Sequence, residues 1–459
     1  MFEKIKSFVK KVKEIMFNKD TFKRVYNNQI LISDDMYNAI KEWFQIFEGN
    51  ADWLSNKTKS IKLVNFSTAY LSKLINAELE INITGSERAD FLNEQMKKYV
   101  LPRINEKTQF ALVGGQIILK PFVNDNEIAV EFVTANNFYP TSIDITGRAT
   151  SGIFTETYKD DTNTYVRLEI HEFKNKTYKV TNKAYKIING SIGNEIQLTS
   201  IEKWSDLQPE TIIENVQKPL FSCFRTPFAN SIDINNPLPV SIFADAVNTI
   251  EEIDKMYSDY CYEFHSGKRK VYIDELAFER DDNGKPKLPD KDLYVALKLS
   301  GDETKKFFED YSPAIRENEY QNGLNQLLRI YEIQTGVSSG TYSIDVKTGA
   351  VTATQVISED RATYYTVRSI QESGKFALED LIYAMDVYAT LYKLAPKGSY
   401  ETIIEYGDSI FEDTNTEFSR RMQMLSQGIE TPEKFRMWYF SEDEETARKN
   451  LPQMTALTE

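Results

Sequence analysis

Two adjacent acid pairs, Asp274-Glu275 and Asp281-Asp282, two histidines, His171 and His265, and two cysteines, Cys223 and Cys261, are the residues with the most obvious chemical potential in this 459-residue chain. Paired carboxylates bind a divalent ion or divide acid and base roles only when a pocket or a third group organises them. Here each pair sits in a turn-rich stretch with no histidine beside it, so solvated turns are the expectation. Two cysteines and two scattered histidines do not supply the common zinc sets, and the thiols read as partly buried groups in a reducing compartment. His171 falls inside the alternating run TYVRLEIHEF, where a lone imidazole is expected to be an exposed strand residue. Gly114-Gly115 precedes a strand, but no GxGxxG or GxxxxGK[ST] pattern accompanies it, so a tight turn is expected there. The reading is therefore of a chain that is not an enzyme, with no catalytic, cofactor or metal residues.

Composition narrows the classes further. Apolar residues make up 41% and aromatic residues 12%, with 26 Tyr and 27 Phe, which is the profile of a folding chain long enough for two to four units. Fifty-five basic against 69 acidic residues give a net charge of -14, the wrong sign for gripping nucleic acid over the whole surface. No run of eighteen apolar residues and no signal core is present, so a cytoplasmic product is expected. Residues 1–24 are the exception in charge, with Lys4, Lys6, Lys10, Lys11, Lys13, Lys19, Lys23 and Arg24 against Glu3, Glu14 and Asp20. Phe2, Ile5, Phe8, Val9, Val12, Ile15 and Met16 share one helical face, which suits either a membrane or anionic partner or packing on the protein's own surface.

Periodicity predicts the supporting elements. Helical patterns cover Met36–Phe47 and Phe66–Ile75, with Trp43, Phe44, Phe47 and Trp53 as core candidates. From Phe110 the runs QIILKPFV, EIAVEFV, GIFTETY, TYVRLEIHEF and TYKVTNKAYKI alternate and predict an antiparallel sheet. Phe221–Pro239 has no periodicity and reads as a linker. A helix of about seven turns follows, with Glu251, Glu252, Asp254, Asp259 and Glu263 on an acidic face relieved only by Lys255. A small αβ insert over 265–312 opens with Lys268, Arg269 and Lys270 and carries Asp281, Asp282 and Lys285 in a turn. A second helix ends at Gly336.

The stretch Gly336–Tyr392 organises the rest. Its first part, GVSSGTYSIDVKTGAV, is expected to be an exposed loop presenting Ser338, Ser339, Thr341, Tyr342, Ser343, Lys347 and Thr348. Thr352 to Gln355 forms a capping box for a long helix, with a bend expected at Ser373–Lys375 around Gly374. Beyond Glu405–Asp413 one helix is expected over Thr431–Leu451, begun by Pro432.

This order, together with ALVGGQIILKPFV, EFVTANNFYPTSID, TATQVISEDRATYYTVRSI and EYGDSIFED, resembles the portal, or head-to-tail connector, proteins of tailed bacteriophages, in particular siphophages of Gram-positive hosts. The resemblance implies an α+β, ring-forming fold. Its parts would be a mixed wing with antiparallel strands (1–238), a first stem helix (239–264), a small αβ clip (265–312) and a second stem helix (313–335). A tunnel loop (336–351), a long bent wing helix and wing strand (352–420) and a small helical crown (421–459) would follow. It further implies a homo-oligomer, usually of twelve subunits, at one capsid vertex of a virion assembled in the host cytoplasm. Double-stranded DNA would pass through without sequence readout. The loop residues named above would touch it and the acidic stem face would keep it mobile. The clip, with Lys268, Arg269, Lys270, Asp281, Asp282 and Lys285, would meet the terminase large subunit and later the neck adaptor, and the ring would contact major capsid and scaffolding proteins. Two other classes compete: a peripheral membrane or minor capsid protein anchored by the basic N-terminal helix, and an enzyme acting on a nucleotide or phosphoester.

Overall fold

A computed structural model describes residues 17, 19–23, 25–26, 30–188, 190–298, 308–343, 361–407, 414–440 and 442–451. The fold is α+β with antiparallel sheets. After a short helix α1 (Lys19–Lys23), four helices gather around the first part of the core: α2 (Asp34–Glu48), α3 (Leu63–Asn76), α4 (Glu87–Gln95) and α5 (Ile104–Gly114). Local chemistry sets their ends. The Ser33 hydroxyl accepts from the Met36 amide and Gly49 closes α2 in the left-handed region, while Ser86 caps α4. Gly115 ends α5 at φ 80° against the Pro239 carbonyl, so the glycine pair is a helix-to-strand turn. Trp43 is fully buried, and Phe44, Phe47 and Trp53 pack against the same core.

The five alternating runs divide between two sheets. β2 (Gln116–Asn124) and β3 (Glu127–Thr134) join β10 (Ser222–Arg225) in the order β10-β2-β3. β4 (Phe138–Ile143), β5 (Ala149–Lys159), β6 (Thr164–Lys174), β7 (Thr177–Ile188) and β8 (Ser191–Ile196) form a meander, with β9 (Glu210–Glu214) also on β7. The expected linker at Phe221–Pro239 is overturned in its first third. Ser222–Arg225 is the edge strand β10, and Phe221, Cys223 and Phe224 are buried. Thr226 and Asn230 hold the rest, their side chains bonding the carbonyls of Gly115, Val240 and Leu238.

α6 (Val247–Ser266) is shorter than expected, because a 3-10 turn at Ala244–Ala246 precedes it. α7 (Glu317–Gln334) returns antiparallel: Thr249 donates to Gln334 at 2.8 Å at one end, and Arg316 pairs with Glu263 at 2.8 Å at the other. Between them β11 (Lys270–Asp274) is flanked by β12 (Tyr294–Leu297), parallel, and β13 (Phe308–Tyr311), antiparallel. The described residues of this insert contain strands and a 3-10 turn but no α-helix, so the αβ expectation becomes a β one there.

α8 (Arg361–Leu391), roughly 46 Å long, buries Val367, Ile370, Leu378, Leu381, Ile382 and Met385 against β2, β10 and α3. The expected capping box at Thr352–Gln355 lies outside the described residues. Arg88, 1% exposed, closes the far end by donating to the carbonyls of Asp386, Ala395 and Pro396 and pairing with the Asp386 carboxylate. β14 (Glu401–Tyr406) then pairs with β1 (Leu79–Thr84). The single helix expected over Thr431–Leu451 is two, α10 (Pro432–Phe440) and α11 (Glu444–Lys449), with Asp443 capping the second. α9 (Thr414–Ser426), which the sequence reading missed, precedes both.

The helix is unbroken through Gly374. A Cβ at Gly374 would lie 2.6 Å from the Tyr406 Oη and 3.5 Å from the Phe224 ring, so this glycine permits close packing. Gly374→Ala is expected to destabilise by about 1–3 kcal/mol through overpacking, despite a helix-propensity gain near 1 kcal/mol. In a Tyr406→Phe background the obstructing oxygen is gone and the same substitution should become neutral or stabilising. Urea unfolding of the four proteins of this cycle measures both terms.

Candidate functional site

The junction where α7 passes into the chain leading to α8 gathers the most organised polar chemistry in the described residues. Glu332, in the last turn of α7, is fully buried. An acid at a helix C-terminus faces the negative end of the dipole. The following loop offsets this by folding its amides onto the carboxylate. Gly340 and Tyr342 donate backbone N–H groups at 3.0 and 2.5 Å, and Ser343 donates its N–H at 2.6 Å and its hydroxyl at 2.9 Å. The Ser338 amide donates to the Thr363 hydroxyl, the Thr363 amide to the Ser338 hydroxyl, and the Thr366 hydroxyl to the Gly336 carbonyl. The turn at the base of the loop is thus tied both to the helix before it and to the first turn of α8.

These contacts correct the expectation of a wholly exposed loop. Ser338 and Ser343 are buried, and Thr341 donates its hydroxyl to the Ser338 carbonyl. Tyr342 packs edge-on to Phe66 and Tyr70 and lies 5.8 Å from the Tyr331 ring, while the Tyr331 and Ser67 hydroxyls share a hydrogen bond. Ser339 is exposed. Lys347 and Thr348 lie outside the described residues. Glu332 itself drew no attention in the sequence. Its only signal was a glutamate interrupting the apolar pattern next to Gly336, ten residues ahead of the amides it binds.

The acidic face of α6 is less uniform than its sequence. Asp254 is buried and points inward, accepting from the Trp53 Nε1 and the Ile61 amide, both at 3.0 Å. Burial pushes its carboxyl above the usual range, against these hydrogen bonds. Lys255 bridges Glu251 and Glu252, and Glu263 is held by Arg316, an ion pair the expectation of relief by Lys255 alone did not include. Glu252 and Asp259 are exposed. In the insert Lys268 is exposed, Lys270 begins β11, and Arg269 places two nitrogens on the Asp310 carboxylate at 3.1 and 2.5 Å. Asp281 accepts from the amides of Asn283 and Lys285, and Asp282 and Lys285 are exposed, the geometry of a solvated turn. Asp274 is buried and caps Leu276. Among the described residues no helix is long and apolar enough to cross a membrane, and no His, Cys, Asp and Glu side chains group as metal ligands.

His171 is the clearest reversal, since it is 2% exposed. The surface of β6 that carries it is covered by Phe154, Phe221 and Tyr178, which ring the imidazole. Nε2 lies 2.7 Å from the Glu169 carboxylate, so this nitrogen carries the proton, and Nδ1 accepts from the Tyr178 hydroxyl. Lys120 reaches across from β2 to Glu169 at 2.7 Å and Glu131 at 2.9 Å, and Arg167 bonds Glu169 at 3.0 Å. This cluster joins the two sheets. Burial lowers the His171 pKa, only partly opposed by Glu169, so the imidazole is neutral. Burial would raise Glu169, but Lys120, His171 and Arg167 more than offset that and hold it well below the usual carboxylate range. Cys223, buried on β10, is pushed up to about 12 by the same loss of water and is not a nucleophile.

Two outcomes follow. Glu332→Ala strands three amides at about 1–3 kcal/mol per buried group, and should cost roughly 3 kcal/mol overall. Amide exchange should accelerate at Gly340, Tyr342 and Ser343 and not in β5–β7. For His171, the folded pKa lies below the unfolded value near 6.5. The unfolded chain therefore binds the extra proton first, and stability is lost as pH falls below that value. His171→Gln should flatten this upper limb below about pH 6.5. The limb below pH 4.5, where Glu169 takes up its proton, should remain. Thermal unfolding against pH reads both. No family model matches the chain and no curated protein is similar to it.

Proposed function

We propose that the chain is a subunit of a portal, or head-to-tail connector, ring. Twelve copies would occupy one vertex of a tailed-phage capsid, nucleate head assembly with major capsid and scaffolding proteins, and pass double-stranded DNA in during packaging and out during ejection. The observation that carries the reading is the helix α6, the three-stranded insert, the antiparallel return helix α7, the tied loop base and the long helix α8, in that order.

Each part has a physical role in this reading. An antiparallel helix pair with an insert at one end and a wide body at the other forms a stalk that repeats around an axis. Exposed apolar groups lie on all three helices, Tyr262 on α6, Ile333 on α7 and Tyr365 on α8, and self-association would cover them. Glu252 and Asp259 face solvent on α6 and would line a channel that repels phosphates, letting DNA slide where a basic wall would hold it by counterion release. Ser339, at the tip of the tied turn, stands where a neutral hydroxyl can touch a phosphate without gripping it. The insert offers Lys268, Asp282 and Lys285 to the terminase large subunit and then to the neck adaptor.

Electron microscopy of the purified protein and of phage particles tests the proposal. The expected images are rings of twelve times the 53.1 kDa chain mass with a central hole at least as wide as duplex DNA. Absence of the protein from purified virions would overturn the reading.

A further inference from the structure

A cleft of about 840 Å³ opens between α8, the β1–β14 ribbon and α10. α8 contributes Arg368, Glu372 and Lys375, spaced so that they fall on one helical face, and the ribbon contributes Glu78, Glu80 and Glu405. In the ladder Glu80 stands directly opposite Glu405, and both are exposed. Like charges in that position repel, and neither carboxylate has an ion-pair partner among the described residues. Four carboxylates against two cations leave the cleft anionic, and Trp438 of α10 gives it an aromatic wall. The space matches about two turns of a helix with its side chains, roughly 10 Å across and 11 Å long.

The chain carries a segment of complementary chemistry. Residues 1–16 hold five lysines against two glutamates, with Phe2, Ile5, Phe8, Val9 and Val12 at the spacing of one helical face, in a chain of net charge -14. The segment joins the body at Phe17, which is buried and whose amide donates to the Tyr139 hydroxyl at 3.0 Å. We propose that the cleft is the docking site for residues 1–16 of this protein. The segment binds there as a basic amphipathic helix, with its lysines on Glu80 and Glu405 and its apolar stripe on Trp438. The charge facing the ribbon is thereby neutralised, and the C-terminal unit is fastened to α8 through the N-terminus. This does not depend on the portal reading, because it concerns how the chain folds onto itself or onto a second copy.

The full-length protein with p-benzoylphenylalanine in place of Phe8 tests the proposal. On irradiation, crosslinks mapped by mass spectrometry are expected on peptides containing Trp438 or residues 401–407. Glu80→Lys with Glu405→Lys should cut that yield at least tenfold, as should Lys10→Glu with Lys11→Glu, and the four changes together should restore it. Mixed light and heavy isotope-labelled subunits show whether the segment comes from the same chain or a neighbour, and either origin supports the proposal. Thermal unfolding checks that the ribbon variant is folded, and if it is not, the Lys10→Glu with Lys11→Glu protein decides alone. Crosslinks confined to other surfaces, no crosslinks, or a yield indifferent to charge reversal would overturn it.

Discussion

A buried carboxylate held by backbone amides fixes the centre of this fold. Glu332 is fully out of water at the unfavourable end of α7, and what solvates it is backbone: three amides and one hydroxyl from the next eleven residues. A buried anion is tolerable when enough donors converge on it. That requirement constrains the path of residues 340–343, whose amides converge on the same two oxygens. The path in turn places Ser338 against Thr363 and Gly336 against Thr366, which ties the base of the loop to α8. The relative position of two long helices therefore rests on the coordination of one side chain.

Other buried charges act the same way over longer distances. Arg88 binds three carbonyls at the end of α8, the counterpart to Glu332 at its beginning. Asp254 draws the Trp53 indole and the Ile61 amide onto α6, and Lys120 with Glu169 spans two sheets. In each case removing one partner would leave a group in low dielectric without compensation, so the arrangement is exacting in geometry. Apolar burial supplies the bulk of the driving force; these groups select one arrangement of the helices and sheets.

The elements themselves were largely legible. Periodicity located α2, α3, α6, α7 and the five alternating runs, since each depends on residues a few positions apart. The division of those runs between two sheets was not, because β2 and β5 share the same alternation and only their partners differ. His171 alternated like its neighbours, yet the surface expected to face water is covered by rings from Phe154 and Phe221. Asp254 was counted with the acids of an exposed face, and its partners lie 193 and 201 residues away, beyond the range of any local pattern. Gly374 carried a local argument from helix propensity, whereas its close approach to Tyr406 and Phe224 depends on residues far away in the chain.

The insert between α6 and α7 leaves and rejoins the body at almost the same place. Gly267 bonds the Glu263 carbonyl, a Cβ at Gly267 would stand 3.6 Å from Ile315, and Arg316 clasps Glu263. Evolution can therefore treat the residues between as a cassette. Any sequence whose two ends meet within a few ångströms can be spliced there without disturbing the helix pair, so this tip is free to diverge while the body stays fixed.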